Sequence, residues 1–180
     1  MTMRRTIMLV LSAITSAFAA PAFAQDDGDA NRLEPYVALM GSRHEYDSEP
    51  NDAGVPGYGP RGGIADLIAG VNVPLASRFF VGAEGTVGKG VRGDIDWEYA
   101  GAARLGVRMR DSGMIYGKVG HRWMTLDQDP ANRTYKDMVY GAGFELAPGG
   151  SASPLRLRGE IETFGNFNSI RPSFGVVARF

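Results

Sequence analysis

Residues 94–109 read Asp-Ile-Asp-Trp-Glu-Tyr-Ala-Gly-Ala-Ala-Arg-Leu-Gly-Val-Arg-Met, and their character changes at every second position. One parity is apolar or aromatic, and the other is charged or small. This alternation predicts a β-strand, because successive side chains of a strand point to opposite faces. The segment is longer than the ~5–6 residues of an ordinary strand. Its length suits a tilted strand that crosses a bilayer, which needs ~9–11 residues.

The same pattern recurs along the chain after Leu33 and predicts eight strands in all. They are Glu34–Arg43, Gly63–Val73, Phe79–Lys89, Asp94–Met109, Met114–Met124, Asp137–Leu146, Leu155–Phe164 and Ile170–Phe180. The sequence therefore predicts an all-β fold, an eight-stranded antiparallel up-and-down transmembrane β-barrel.

The lengths of the connections support this prediction. Short links are expected at Pro74–Arg78, Arg110–Gly113 and Ala147–Pro154, and long ones at Glu45–Gly62 and Thr125–Lys136. Outer-membrane barrels have short turns on the periplasmic side and longer loops outside. The links Gly90–Gly93 and Gly165–Ser169 are short for the outer side and weaken the alternation.

Composition excludes several other classes of protein. The chain has 180 residues, a formal net charge of −1 and no cysteine. Its length fits one domain. Disulfide scaffolds and cysteine-ligated metal sites are excluded. The balanced charge provides no basic footprint for nucleic acid. No apolar run of ~20 residues follows the first segment, so a helical membrane protein is also excluded.

The first residues have the layout of a secretory signal peptide. Arg4 and Arg5 precede an apolar stretch, and Ala22-Phe23-Ala24 forms a small-residue cleavage site before Gln25. This layout predicts a cleaved signal peptide over residues 1–24. The polar, aperiodic residues 25–32 predict a short periplasmic tether, and residues 33–180 form the predicted barrel.

The charged parity of the strands is predicted to face the barrel lumen. It mixes charges with Gly and Ala, as a narrow filled interior requires. Its acidic and basic residues nearly balance, and confined charges must be paired. The predicted lumen charge network comprises Asp66, Glu84, Asp96, Glu98, Arg104, Arg108, Lys118, Arg122, Glu145, Arg156, Arg158, Glu160, Glu162, Arg171 and Arg179. A solvated outer face of a soluble barrel remains the alternative, because alternation alone does not say which face is inside.

The first strand is ambiguous, because Val37 and Leu39 on one parity oppose Tyr36, Ala38 and Met40 on the other. With a periplasmic N-terminus, the aromatic residues sort into two interfacial belts. Tyr36, Phe79, Phe144 and Phe180 fall near the inner interface, and Trp97, Tyr99 and Trp123 fall near the outer one.

The chain ends in Phe174-Gly175-Val176-Val177-Ala178-Arg179-Phe180. This ending resembles the insertion signal of Gram-negative outer-membrane proteins, with Phe174, Val176, Ala178 and Phe180 on one parity. The signal peptide, the eight strands, and the segments Tyr116-Gly117-Lys118-Val119-Gly120 and Tyr140-Gly141-Ala142-Gly143-Phe144-Glu145 within them add to this ending. Together they make the chain resemble the small opacity-like outer-membrane barrels. The resemblance implies recognition by the barrel assembly machinery and implies no particular activity.

Several motifs of the chain contain residue types that can bind cofactors, cations or phosphates. Gly88-Lys89-Gly90-Val91-Arg92-Gly93 matches G-x-G-x-x-G, but a dinucleotide site needs a following helix, whereas strand alternation follows here. Loop carboxylates could bind a divalent cation; they are Asp47, Glu49, Asp52, Asp127 and Asp129. Solvated loop charge is the stronger interpretation, so we expect no metal site and no cofactor. Arg43, Arg61, Arg92 and Arg133 near the outer rim could instead contact lipopolysaccharide phosphates.

Ser42 and His44 share one face and could form a nucleophile–base pair. The His-x-Ser pattern of the lipid A deacylase barrels is absent, since Arg122 and Trp123 follow His121. We therefore expect no enzyme activity.

The predicted function is that of an outer-membrane barrel with a side-chain-filled lumen and a structural or surface-interaction role, such as adhesion or defence, through its extracellular loops. Its predicted partners are outer-membrane lipid, lipopolysaccharide, the assembly machinery and a host or surface ligand. The alternatives are a soluble periplasmic lipocalin-like barrel and a lipid-modifying outer-membrane enzyme.

Overall fold

The structure is a computed structural model that describes residues 33–46, 61–75, 78–109, 113–126, 134–150, 153–165, 167 and 169–180. Its strands are β1 (Glu34–Tyr46), β2 (Arg61–Pro74), β3 (Phe79–Gly93), β4 (Ile95–Met109), β5 (Gly113–Leu126), β6 (Thr134–Leu146), β7 (Leu155–Phe164) and β8 (Ser169–Arg179). Within these ranges no helix is long and apolar enough to cross a membrane. The predicted signal peptide and tether lie outside the described residues.

The eight strands form one closed antiparallel barrel in chain order. The first and last strands complete the ring, with Tyr36 opposite Arg179 and Ser42 opposite Ser173. Beyond β8, the Phe180 N–H donates to the Pro35 carbonyl at 3.1 Å. Because the ring is closed, no strand edge is left open for pairing with another chain. The predicted fold class is confirmed.

The barrel has two ends, which we name by the position of the chain ends. The terminal end carries the start of β1, the end of β8 and the links after β2, β4 and β6. The distal end carries the links after β1, β3, β5 and β7. Gly90–Gly93, predicted as a link, is part of β3 instead, and that prediction is wrong. β3 turns into β4 at Gly93, whose φ of 100° favours glycine.

Side-chain burial shows which parity faces inward. Glu98 and Glu145 are fully buried, whereas Leu39 and Leu105 are 59% and 60% exposed. A soluble barrel has the opposite arrangement, because its apolar side chains fill the core. The charged parity therefore faces the interior, and the apolar parity faces outward.

The ambiguity of β1 is resolved by the same criterion. Tyr36, Ala38 and Met40 are at most 2% exposed and point inward, whereas Leu39 points outward.

A register shift in β4 changes one part of the predicted alternation. The β4–β5 pairing is irregular between Ile95 and Trp97. Such a bulge adds a residue to one strand and changes the face of the residues beyond it. Ile95, expected on the apolar outer parity, is only 3% exposed and packs inside the distal end.

Candidate functional site

Glu84 on β3 is the centre of the charged interior. Its carboxylate accepts a hydrogen bond from the Tyr36 hydroxyl at 2.7 Å. It also pairs with Arg158 at 2.7 Å, Lys118 at 2.9 Å and Arg104 at 3.2 Å. All these groups are buried. One carboxylate therefore offsets part of the charge of three cations that water does not reach.

Two further carboxylates complete this central layer. Glu160 accepts a 2.5 Å hydrogen bond from the Tyr116 hydroxyl and pairs with Lys118 at 2.9 Å. Glu145 pairs with Arg104 at 3.1 Å. The Arg104 guanidinium carbon lies 3.8 Å from the centre of the Tyr116 ring. Arg104 is thus held by carboxylates and by a ring face, which both attract a cation.

A second layer lies nearer the distal end. Arg171 on β8 pairs with Asp66 at 2.6 Å and with Glu98 at 2.5 Å. Arg122 pairs with Glu162 at 2.6 Å. The Lys118 ammonium also contacts Glu162, so this layer is joined to the central one.

A third group closes the terminal end. Glu34, which the sequence prediction omitted, pairs with Arg108 at 2.6 Å and with Arg179 at 3.3 Å. Arg179 also pairs with Glu145 at 2.7 Å. Arg156 is half-buried nearby, and its Nε has no hydrogen-bond partner among the described residues.

Two residues of the predicted site are placed differently by the structure. Asp96, predicted in the lumen, contacts Lys89 at the distal rim and is about one-third exposed. The bulge beside it explains the change of face. Tyr36, predicted in the inner aromatic belt, is 1% exposed and lies in the lumen. Its ring is amphipathic, so it can fill the interior while its hydroxyl reaches Glu84.

Sequence reasoning also missed uncharged members of the interior. Tyr116, Ser42 and Asn72 are buried on the inward parity. The signal available for Tyr116 and Asn72 was position, because they lie two residues from Lys118 and six residues from Asp66 on the same strands. Ser42 lies on β1, for which the sequence left the inward parity open.

An apolar cluster fills the distal interior above the ion pairs. Its buried members are Ile64, Ile95, Met124 and Phe164, with Leu126 and Tyr135 packed against it. We call these six residues the apolar cap. Beneath it, the buried His44 ring lies edge-on to Phe164, with ring centres 6.2 Å apart.

The surroundings of Ser42 and His44 bear on the hypothesis that these residues form a nucleophile–base pair. The Ser42 hydroxyl donates to Asp66 at 2.9 Å and accepts from Arg171 at 2.8 Å. His44 is fully buried. Ser42 is therefore engaged in the ion-pair layer, and both residues face the filled lumen rather than a lipid substrate. The geometry does not support an acyl-transfer site.

The outer wall carries the remaining predicted aromatic residues. Trp97 stacks on Tyr99 at 6.5 Å, and the Lys89 ammonium lies 4.8 Å from the Trp97 ring centre. The His121 ring lies 4.7 Å from that of Trp123. These residues lie near the distal end, whereas Phe79 and Phe144 lie outward near the terminal end.

In the predicted insertion signal, Phe174, Val176 and Phe180 are exposed on the outer face of β8 and just beyond it, and Ala178 is half-buried on the same parity.

The remaining motifs carry no cofactor geometry. Gly88–Gly93 lies within β3, where it pairs with β2 and enters a hairpin rather than a helix. Among the described residues, no group of three His, Cys, Asp or Glu could hold a metal ion. The loop carboxylates proposed above lie outside the described residues.

The chain was compared with known proteins. No protein-family model matches it, and no curated protein does. Solved structures match. Ail, the attachment invasion locus protein of Yersinia pestis, solved with the heparin analogue sucrose octasulfate, matches with a TM-score of 0.51 and 17% identity, over 83% of this chain and 99% of that one. Neisserial surface protein A matches with a TM-score of 0.51 and 13% identity, over 81% and 97%.

This is the fold of a small outer-membrane β-barrel. The two structures share the eight-stranded architecture with this chain, and the identity is low enough that the likeness concerns the fold alone. The outer-membrane barrel fold agrees with the inverted side-chain arrangement, in which charges face the lumen and apolar residues face outward. A lipocalin-like interior, which needs an apolar cavity, is contradicted by the ion pairs that occupy this lumen.

Proposed function

We propose that this chain is exported by a cleaved signal peptide, inserted into the outer membrane by the barrel assembly machinery, and acts there as a structural or surface-interaction protein. The terminal end faces the periplasm and the distal end faces outward. Ligand contacts are made by the links at the distal end.

Two ion pairs that cross the lumen are the observation that carries this proposal. Glu84 on β3 reaches Arg158 on β7 at 2.7 Å, and Glu98 on β4 reaches Arg171 on β8 at 2.5 Å. Each ion pair joins two strands that are four places apart in the ring of eight. Such strands lie on opposite walls of the barrel. A lumen bridged in this way is filled by its own side chains. Solute passage is therefore disfavoured, and function is assigned to the surface.

The distal surface offers residues 47–60 for this role, which join β1 to β2 and form the longest link between strands. Residues 127–133, which join β5 to β6, are one residue fewer than the terminal-end link 147–154, so the predicted contrast in length is lost between these two links. Binding residues are often found on loops that a rigid scaffold positions. The attachment role in the name of the Yersinia pestis protein supports a surface-interaction role here. The exposed Arg43 and Arg92 at the same end suit phosphate or sulfate groups, including those of lipopolysaccharide.

Cell and matrix binding tests this proposal. Residues 47–60 are replaced by a short Gly/Ser turn, and a control variant carries the same replacement in the terminal-end link 147–154. Cells that display the parent and the control should bind equally, and the distal variant should lose adhesion. Unchanged adhesion of the distal variant would contradict the proposed role of the loop, and recovery of the parent in the soluble fraction would contradict the membrane location.

A further inference from the structure

The positive charge of the described lumen is concentrated at the terminal end. The ion pairs of the central and distal layers are built from six carboxylates and five cations. At the terminal end, the described lumen face has one carboxylate and four guanidinium groups, which belong to Glu34, Arg78, Arg108, Arg156 and Arg179. We call these five residues the terminal mouth.

Arg78 belongs to this face because of its pairing with β4. The Arg108 N–H donates to the Arg78 carbonyl at 2.7 Å, which continues the register in which Phe79 lies opposite Val107. Side chains of directly opposed residues lie on the same face of an antiparallel pair. Arg78 therefore shares the lumen face of Arg108. It is exposed at the rim and forms no ion pair with a described residue.

Two guanidinium groups of the terminal mouth meet at one oxygen atom. Arg108 on β4 and Arg179 on β8 pair with the same Oε2 of Glu34, at 2.6 Å and 3.3 Å. Their strands are opposite walls of the ring, so these contacts span the mouth. The Arg108 guanidinium carbon lies 5.7 Å from the Phe80 ring centre. That of Arg179 lies 5.6 Å from the Tyr36 ring centre. Both donors are thus held in place before a ligand binds.

Arg156 on β7 has no counterion of its own. It lies within electrostatic range of Arg179, Glu145, Glu34 and Arg108, but it forms no ion pair with a described residue. Its Nε is shielded from water and has no hydrogen-bond partner in the described part of the chain, and the same holds for the Nε of Arg108. A shielded donor without an acceptor is unfavourable. A bound anion would supply an acceptor and a countercharge.

We propose that the terminal mouth binds a phosphate group, carried by inorganic phosphate or by a soluble phosphate monoester. Such a group has a charge of about −1.5 to −2 at pH 7 and at least three acceptor oxygens. It can therefore contact guanidinium groups from several strands, whereas a carboxylate has only two oxygens in one plane.

The route to the site is from the terminal end. The apolar cap fills the distal interior, whereas the side chains of Glu34 and Arg108 are 24% and 29% exposed. The arginines lie on the inward face, so a soluble phosphate reaches them more readily than a lipid headgroup outside the ring. The site lies at the opposite end from the proposed surface role and does not depend on it.

Phosphate binding to the folded barrel tests this inference. The mature chain, residues 25–180, is refolded in an uncharged maltoside detergent, which contains no phosphate. Inorganic phosphate is then titrated at low salt by isothermal titration calorimetry, and heat-modifiable migration verifies that each variant is folded. Arg156→Gln removes one charge from the mouth without breaking a described ion pair. Lys136→Gln is the matched control, because Lys136 is exposed on β6 near the distal end.

The parent and Lys136→Gln should each bind one phosphate with the same affinity. Arg156→Gln should bind about tenfold more weakly, because hydrogen bonds between two charged groups are among the strong ones. Equal weakening in the two variants would mean that phosphate responds to net charge alone, and it would overturn the site. Folded parent protein that binds no phosphate would also overturn it. If Arg156→Gln does not fold, Arg78→Gln replaces it.

Further measurements identify the chemistry and the source of the ligand. Glycerol 3-phosphate, a soluble monoester, should compete with inorganic phosphate, and acetate at the same concentration should not. Competition by acetate would overturn the assignment to phosphate. Retention of phosphatidylglycerol, measured by native mass spectrometry, should be the same for the parent and Arg156→Gln. Loss of this lipid in the variant would contradict a soluble ligand and assign the mouth to a lipid headgroup.

Discussion

The Tyr116 ring lies directly over Gly143, its cross-strand partner in the lumen. A Cβ atom at Gly143 would come within 2.6 Å of the Tyr116 Cζ and hydroxyl oxygen. The same relationship joins Phe80 to Gly106, which are also direct partners. Aromatic rings placed over bare backbone fill a narrow barrel without widening it.

Gly143→Ala should therefore destabilise the barrel, because the Tyr116 hydroxyl is fixed by its hydrogen bond to Glu160 and cannot move aside freely. We expect a loss of about 1–3 kcal/mol, as for other overpacked interiors. Urea unfolding in lipid vesicles measures it. Gly101→Ala on the open outer wall should cost much less, and equal losses for the two variants would contradict the role of the ring.

Removal of the central carboxylate should have a larger effect. Glu84→Ala leaves Arg104, Lys118 and Arg158 with reduced compensation in a buried site. Loss of one partner of a buried pair costs about 3–5 kcal/mol. The measurement is the free energy of unfolding, or the temperature at which heat-modifiable migration is lost.

Glu45→Ala is the control for this change, because Glu45 is exposed and pairs with the exposed Arg43. Exposed pairs contribute about 0–1 kcal/mol. A Glu84 variant as stable as the Glu45 variant would mean that the interior charges are solvated.

The two tryptophans of the chain provide a depth measurement. Trp97 and Trp123 are the only ones in the sequence, and both lie on the outer wall near the distal end. Aromatic rings at this level are expected at the membrane interface. Lipids brominated near the headgroup should quench their fluorescence more than lipids brominated near the chain ends. The membrane placement would be wrong if neither lipid quenched the fluorescence.

Assembly should depend on the Phe180 side chain. Phe180→Ala keeps the backbone bond from residue 180 to Pro35 but removes an exposed ring from the predicted insertion signal. Pulse-chase analysis should show slower appearance of the folded, heat-modifiable form. Phe167→Ala, another exposed ring outside that signal, should insert at the normal rate. Equal rates for the two variants would remove the basis for the signal.

Ser42→Ala tests the enzyme hypothesis. Lipid A mass spectra should be identical for cells that express the parent, the variant or neither, because the Ser42 hydroxyl is engaged with Asp66 inside the barrel. A mass shift that occurs in cells with the parent and is absent from cells with Ser42→Ala would establish the activity that we do not expect.

The alternating pattern was sufficient to predict all eight strands and the face of most charged residues. It failed where parity changes locally. The bulge at Ile95 turns that residue inward and leaves Asp96 at the rim, and a bulge has no reliable sign in residue type. It also failed for Tyr36, because an aromatic residue near a strand end suits either an interface or a lumen. Partners such as Glu84 and Arg158 could not be predicted, since they depend on strands that face each other only after the ring closes.

Closure between β1 and β8 has a consequence for the order of events during biogenesis. β8 closes the ring by pairing with β1, so one edge of β1 stays unpaired until β8 has been made. The charged layers face the same delay, because Arg171 and Arg179 arrive with β8 and their partners Asp66 and Glu145 lie on earlier strands. Until β8 is present, the sheet keeps an open edge that can pair with another chain.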